Sequence, residues 1–157
     1  ESGGLGRGAT FTLELPLATK AELQSPATEP RPRPAGEGAR RVLVVDDNVD
    51  AAEMLAEGLR ADGHDVKVAN DGPRALDLAS GLKPHIAFLD LGLPAMDGYE
   101  VAARLRELDQ GVVLVAVTGY GQPSDKARTR AAGFQHHLVK PVDLEQTLGI
   151  AREAPAR

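Results

Sequence analysis

Charged and hydroxyl side chains follow four short apolar runs of this sequence. They are Asp46, Asp47, Asp90, Thr118 and Lys140. Three carboxylates brought together repel one another by about 4 kcal/mol per pair at about 4 Å and an effective dielectric constant of about 20, so cations must balance them. One lysine supplies a single charge, and the remaining deficit favours a hard divalent ion such as Mg²⁺ over zinc, because cysteine is absent. Such a cluster is suited to holding a phosphoryl group, which implies phosphoryl transfer onto an aspartate.

The apolar runs before these residues alternate with segments of helical periodicity. We predict strands over 42–45, 66–69, 86–89, 112–117 and 138–139, several of them apolar without alternation, as strands buried on both faces are. We predict helices over 49–61, from Gly72, over 98–108 behind Asp97 as N-cap, after Ser124, and from Asp143. The fold class is therefore α/β, with a doubly wound five-stranded parallel sheet whose ligands bind at the carboxyl ends of the strands.

The overall composition restricts the classes of function. The 157 residues carry a formal net charge of -5, so no overall field attracts nucleic acid or an anionic membrane, and we predict contact with neither. The absence of cysteine excludes disulfide scaffolds, thiolate zinc sites and cysteine nucleophiles. The longest aliphatic run, 112–117, is too short to span a bilayer, and no signal-peptide pattern is present, so we expect a cytoplasmic protein.

The first 39 residues differ in composition from the rest of the chain. Residues 18–39 carry several prolines interleaved with Glu and Arg, and we predict an extended, mobile linker because so few apolar residues cannot offset the entropy of ordering. Residues 10–15 alternate apolar and polar types as a single strand would. A lone strand requires a sheet to belong to, so we expect the sequence to be a fragment of a longer protein.

Residues 40–152 resemble a response-regulator receiver domain of the CheY-like kind, followed by a short tail over 153–157. The motifs that carry the resemblance are Asp46-Asp47, Asp90 followed by Pro94 and Gly98, Thr118-Gly119, and Lys140-Pro141. The resemblance implies a flavodoxin-like fold, with the βα unit repeated five times and the strand order 2-1-3-4-5.

The resemblance also implies a role for each matching residue. Asp90 would accept the phosphoryl group, Lys140 would contact that group, and Thr118 would turn its hydroxyl towards it as a switch. The peptide bond before Pro141 would be cis, as cis bonds generally are at proline. The second switch position of the family, often Tyr or Phe, is His137 here. We hypothesise that this histidine makes the switch pH-sensitive or weakly coupled.

A magnesium site is a further implication of the resemblance. Asp46, Asp47 and Asp90 would hold Mg²⁺ together with the main-chain carbonyl of Gly92. Asp47 would be a direct ligand, whereas Asp46 would act largely through water.

Residues 1–17 resemble the last Gly-rich box and final strand of a histidine-kinase ATP-binding domain. The spacing of the glycines, the Thr-Phe-Thr strand and the Leu-Pro-Leu ending carry this resemblance. A receiver behind a linker is the order of a hybrid histidine kinase, and we predict that context. Because the other kinase boxes are missing, we expect no ATP-dependent kinase activity and at most autophosphatase activity.

The receiver interpretation predicts the partners of the chain. A phosphohistidine donor, either a histidine kinase or the protein's own kinase domain, would supply the phosphoryl group. The face around the fourth helix, fifth strand and fifth helix would then change its affinity for a partner. That partner would be a histidine phosphotransfer protein, a downstream regulator or the parent kinase.

Two alternatives to a phosphorylated receiver stay open. The chain could be a receiver-like interaction module that is never phosphorylated. It could also be a phosphohydrolase of the haloacid-dehalogenase kind, although Gly92 stands where that class carries a second aspartate, two residues after its nucleophile. Taken singly, Asp46 and Asp47 could simply cap the following helix. We expect His64 and His85 to be surface or strand-edge residues.

Overall fold

The computed structural model describes residues 38–119 and 123–155. The predicted kinase remnant and almost all of the predicted linker, as well as the last two residues of the predicted tail, lie outside the described residues. Among the described residues, no helix has the length and apolar character that a membrane span requires.

Five strands and five helices alternate along the described part of the chain. The strands are β1 (Arg41–Val45), β2 (Asp65–Ala69), β3 (Ile86–Asp90), β4 (Val113–Thr118) and β5 (His136–Val139). The helices are α1 (Val49–Ala61), α2 (Gly72–Leu82), α3 (Gly98–Leu108), α4 (Pro123–Ala131) and α5 (Leu144–Glu153). The predicted alternation is confirmed, with bounds that differ from the predicted ones by at most two residues.

The strands form one parallel sheet in the order β2-β1-β3-β4-β5. The predicted doubly wound, flavodoxin-like class is thereby confirmed. In the register between β1 and β3, Val45 lies opposite Leu89, so the residues that follow them, Asp46 and Asp90, leave the sheet side by side. The strand register alone therefore places these two aspartates next to each other.

The core explains why several strands lack an alternating pattern. On one face of the sheet, Leu43 and Leu89 pack with residues of α2 and α3. On the other face, Val44 and Phe88 pack with residues of α1 and α5. All five residues of β3 are buried, because the central strand is covered on both sides. Packing on both faces therefore fixes the positions of the strand ends, where the predicted site residues lie.

Side-chain caps determine where the helices next to the site begin. The carboxylate of Asp97 accepts a hydrogen bond from the N–H of Glu100 at 2.8 Å, which confirms the predicted N-cap of α3. Asp143 caps α5 in the same way, accepting from the N–H of Gln146 at 2.7 Å. These caps end the loops that follow β3 and β5, and both loops border the site.

His64 and His85 were expected to be surface or strand-edge residues, and the surface alternative is wrong. Only 7% of His64 and 5% of His85 is exposed. Both do lie at the ends of strands, because each directly precedes one, β2 and β3 respectively. The sequence pattern does not indicate their partners. The His64 ring accepts a hydrogen bond from the N–H of Arg40, just before β1, and the His85 ring accepts one from the N–H of Arg41, at its start.

Candidate functional site

The residues that follow β1, end β3, end β4 and follow β5 meet at the carboxyl ends of the strands. We call Asp46, Asp47, Asp90, Thr118 and Lys140 together the carboxylate edge. Asp46, Asp90 and Thr118 are almost wholly buried, with 7%, 7% and 6% of their surfaces exposed. The structure therefore brings together the polar residues that the sequence predicted, and buries three of them.

The three aspartates form a compact set of oxygen donors. One oxygen from each of Asp46, Asp47 and Asp90 lies within 4.8 Å of the others, and Asp47 is the exposed member. Carboxylate oxygens grouped in this way are the donors that hard cations such as Mg²⁺ prefer. Gly92, the fourth predicted ligand, also belongs to the site, since its N–H donates to Asp90 Oδ1 at 2.8 Å.

Lys140 bridges two of the carboxylates. Its Nζ lies 2.7 Å from Asp46 Oδ2 and 2.7 Å from Asp90 Oδ2. Burial by itself would lower the pKa of Lys140, but the hydrogen bonds and charges of the two aspartates outweigh it and raise the pKa above its ordinary value of 10.5. Three carboxylates and one ammonium still leave two negative charges, so the edge retains a demand for a further cation.

Main-chain donors orient the same two aspartates. Asp46 Oδ1 accepts from the N–H of Asn48 at 3.0 Å, just as Asp90 Oδ1 accepts from the N–H of Gly92 at 2.8 Å. Each carboxylate thus places one oxygen on an N–H two residues later and the other on the shared ammonium. This arrangement limits rotation of both carboxylates.

Sequence reasoning missed two asparagines that support Asp46. The Asn48 side chain caps α1 by accepting from the N–H of Ala51, and the Asn70 amide donates to the carbonyl of Asp46 at 3.0 Å. The positions of both residues relative to the predicted helices and strands could have indicated them. Asn48 stands directly before a predicted helix, and Asn70 directly after a predicted strand.

The loop between β3 and α3 is held tightly behind Asp90. A Cβ atom on Gly98 would lie 2.4 Å from the carbonyl oxygen of Asp90, so only glycine fits where α3 begins. Ala95 has a φ of 66°, in the left-handed region that disfavours side chains, and nothing in the sequence pattern indicates it. Leu93 is buried, which anchors the loop to the core.

Thr118 and Lys140 are joined through the main chain as well as by proximity. The N–H of Lys140 donates to the carbonyl of Thr118 at 2.8 Å, which extends the β4–β5 pairing by one bond. The peptide bond between Lys140 and Pro141 is cis, as predicted. Lys140 follows β5 directly and lies in contact with two of the carboxylates.

His137 lies apart from the carboxylates. It pairs with Ala116 in the β4–β5 register, and its Nδ1 lies 3.2 Å from the hydroxyl of Thr129 on α4. That hydroxyl also donates to the carbonyl of Lys126 at 3.0 Å. His137 is half-buried and connects β5 to α4.

Comparison with known proteins identifies a family pattern across this region. A family model for the response regulator receiver domain matches residues 42–152, a range that contains the whole carboxylate edge. An uncharacterised 14.6 kDa protein encoded in the sodA1 3' region of Leptolyngbya boryana is 38% identical over 114 residues, covering 71% of this chain and 87% of that protein.

Longer relatives match over part of their length. The DNA-binding dual master transcriptional regulator RpaA of a Synechocystis strain is 35% identical over 114 residues, which is 71% of this chain and 47% of the regulator. The chain therefore spans about half the length of this relative.

A solved structure shares both fold and sequence with the chain. It is a response regulator protein from Burkholderia pseudomallei with a phosphorylated aspartic acid, calcium ion and citrate. The TM-score is 0.66 at 31% identity, and the match covers 70% of this chain and 65% of the solved one. The similarity therefore extends beyond strand order to the sequence.

Proposed function

The chain belongs to the response regulator receiver family, and from this premise we propose that it takes a phosphoryl group from a phosphohistidine onto Asp90 with the help of Mg²⁺. The observation that carries the proposal is the setting of the Asp90 carboxylate. It is almost wholly buried, is hydrogen-bonded by Lys140 and by the N–H of Gly92, and lies beside two further carboxylates. A similar solved protein holds a phosphorylated aspartic acid, which supports the same role here.

The side chains around Asp90 suit it to act as a nucleophile. An Asp90 oxygen would attack phosphorus, forming an O–P bond while the N–P bond of the phosphohistidine breaks. The electron pair of that bond would leave with the donor imidazole, which then takes up a proton. The Lys140 ammonium, already 2.7 Å from Asp90, would stabilise negative charge on the phosphoryl oxygens. The fixed carboxylate reduces the reorganisation that the reaction requires.

Magnesium fits the donor set at this edge. Asp46, Asp47, Asp90 and the carbonyl of Gly92 would hold it, and their hard oxygens match its preference. When bound, the ion neutralises charge on the phosphoryl oxygens. The two negative charges left by one lysine among three carboxylates favour such a cation on electrostatic grounds.

Thr118 and His137 would report the phosphorylation to α4. Thr118 lies at the carboxylate edge, whereas His137 contacts Thr129 of α4 from the neighbouring strand. An NMR titration of His137 with and without a phosphoryl mimic tests this role. A ring environment and a titration midpoint that are unchanged by the mimic would contradict it.

The context that we propose is the C-terminal part of a cytoplasmic hybrid histidine kinase. The Gly-rich sequence of residues 2–8 and the Pro-rich composition of residues 18–39 support it. The phosphohistidine donor would then be its own kinase domain or another kinase. The output would pass to a histidine phosphotransfer protein or a downstream regulator. Sequencing the reading frame upstream of Glu1 tests this context, and a frame without the remaining kinase boxes would overturn it.

Intact-protein mass after incubation with acetyl phosphate tests the acceptor. We expect wild type to gain one phosphoryl group only with Mg²⁺, and the group to be labile to hydroxylamine. Asp90→Asn should abolish the gain. Asp62→Asn, which alters a carboxylate remote from the site, is the matched control and should keep it.

The other outcomes separate the alternatives. A phosphoryl group on Asp90→Asn would refute the assigned acceptor. No gain from either acetyl phosphate or a phosphohistidine donor would favour the interaction module that is never phosphorylated. Turnover of many equivalents of a phosphomonoester would favour the phosphohydrolase.

A further inference from the structure

Two buried imidazoles hold the amino end of β1, at the opposite edge of the sheet from the carboxylates. His64 directly precedes β2 and His85 directly precedes β3, the two strands that flank β1. The His64 Nδ1 accepts from the N–H of Arg40 at 3.1 Å, and the His85 Nδ1 accepts from the N–H of Arg41 at 3.1 Å. We call these two rings with Arg40, Asp62 and Arg152 the imidazole edge.

The protonation state of His64 follows from its hydrogen bond. Because Nδ1 accepts from an N–H, it must carry a lone pair, so the ring proton resides on Nε2 in the neutral form. Nε2 lies 3.4 Å from Asp62 Oδ2. Asp62 is in turn held by Arg152, whose Nε and Nη2 donate to its two oxygens at 2.8 Å and 2.6 Å. The ring is thus held by the hydrogen bond at Nδ1, whereas the buried Nε2 makes no hydrogen bond among the described residues.

Arg40, the residue bonded to His64, connects the N-terminal segment to β1. The Arg40 carbonyl accepts from the N–H of Asp65 at 2.8 Å, which completes a pair of bonds to the start of β2. The Arg40 guanidinium donates to the carbonyl of Ala154, just beyond α5, and to the carbonyl of Gly38. The junction is thus bound to β2 by its main chain and to the end of α5 by one side chain.

We propose that His64 is a pH-sensitive clasp that fixes Arg40 to the start of β2 and to the end of α5 at neutral pH and releases it on acidification. A proton on Nδ1 would convert the acceptor of the Arg40 N–H into a second donor facing it. The hydrogen bond would then be lost and two N–H groups would point at each other in a buried site. The main chain of Arg40 would have to move away, and its contacts with the end of α5 would weaken.

The charges that face His64 act in both directions. Burial lowers the pKa of His64 below its ordinary value of 6.5, and the positive charges of Arg40 and Arg152 act in the same direction. Asp62 at the end of α1 opposes them by favouring the imidazolium. The neutral form therefore holds the clasp closed at neutral pH, and acidification is the condition that opens it.

Hydrogen exchange of the Arg40 amide in the full 157-residue chain tests the clasp. We expect its protection factor to fall about tenfold as the pH falls from neutral through the folded pKa of His64, since the amide loses its acceptor. His64→Asn places a non-titrating amide oxygen near the Nδ1 position and should keep the protection nearly constant over this range. His85→Asn is the matched control on the other side of β1, and should leave the pH response of Arg40 as in wild type.

Ring nitrogen chemical shifts provide a second measurement that needs no variant. We expect the His64 Nδ1 to be unprotonated at about pH 7 and to titrate with the same midpoint as the Arg40 amide shift. A protonated Nδ1 at neutral pH, titrations with separate midpoints, or an equal loss of Arg40 protection in wild type and His64→Asn would overturn the proposal. The clasp does not depend on phosphorylation, so these outcomes leave the proposed acceptor untouched.

Discussion

The two edges of the sheet bury polar side chains in opposite states of charge balance. The carboxylate edge holds three carboxylates and one ammonium, which contacts two of them, so two negative charges remain. At the imidazole edge, the charge of Asp62 is balanced by a bidentate arginine, and both imidazoles accept hydrogen bonds from main-chain N–H groups. Burial of polar groups is common to both edges, so it does not identify the reactive one. The unbalanced charge does, because two uncompensated carboxylates favour the binding of a cation.

The largest effect is expected from removing the cation of the carboxylate edge. Lys140→Met should slow phosphorylation by acetyl phosphate by about 10²–10³-fold, the usual effect of losing one donor to a developing charge. In the absence of Mg²⁺ it should also lower the free energy of unfolding by about 1–3 kcal/mol, since two aspartates lose a hydrogen-bond partner. Added Mg²⁺ should restore the stability but not the rate.

Lys67→Met, at an exposed position of β2, is the control for Lys140→Met. It should change the phosphorylation rate less than twofold, by the general neutrality of surface substitutions, which lie within about 0.5 kcal/mol. Equal rates for Lys140→Met and Lys67→Met would show that the balance of charge at the carboxylate edge does not matter for the reaction.

A pair of glycines compares how tightly the main chain is packed at the two edges. Gly98→Ala should destabilise the domain by about 1–3 kcal/mol, because its Cβ would lie 2.4 Å from the Asp90 carbonyl oxygen. Gly81→Ala, in the last turn of α2 with no atom within 4 Å of the added Cβ, should stabilise by about 0.5–1 kcal/mol. Urea unfolding measures both, and a tolerated Gly98→Ala would mean that the loop behind Asp90 is more adaptable than its packing implies.

The two edges should also respond to pH with opposite signs. The raised pKa of Lys140 means that its contribution to stability is complete below its unfolded value of 10.5 and is lost as pH rises through the folded pKa. The lowered pKa of His64 means that its contribution is complete above 6.5 and is lost as pH falls through the folded pKa. Urea unfolding midpoints measured from below pH 6.5 to above pH 10.5 should show both losses of stability in wild type.

Each loss should become smaller in one variant. His64→Asn should remove part of the acid loss and leave the alkaline loss, whereas Lys140→Met should do the reverse. An acid loss of the same size in wild type and His64→Asn would assign it to other groups, such as the carboxylates.

The smallest effect is expected for the exposed half of the imidazole edge. Arg152→Ala should cost about 0.5–1 kcal/mol, since its guanidinium is 45% exposed but binds Asp62 through two bonds. Arg74→Ala, which removes a more exposed ion pair with Asp77, should cost no more than about 0.5 kcal/mol. Equal costs, measured by thermal unfolding, would show that the bidentate geometry at Asp62 adds nothing.

Much of the carboxylate edge could be predicted because its residues are placed by strand ends. Asp46, Asp90 and Lys140 each stand at or just after an apolar run, and the carboxyl ends of parallel strands necessarily share one edge. The imidazole edge escaped prediction for a complementary reason. Nothing in the sequence near His64 or His85 indicates a partner, because the N–H groups that they accept belong to residues at least 24 positions away.

The sequence by itself determined the βα alternation, the class of the sheet and the residue types at its carboxyl edge. These features follow from local periodicity and from the fixed handedness of crossover connections, neither of which depends on how particular side chains pack. Only the tertiary structure decided that one lysine bridges Asp46 and Asp90, that Gly98 must lie against the Asp90 carbonyl, and that His64 is buried as an acceptor. Those facts depend on strand register and loop path, which are set by long-range contacts.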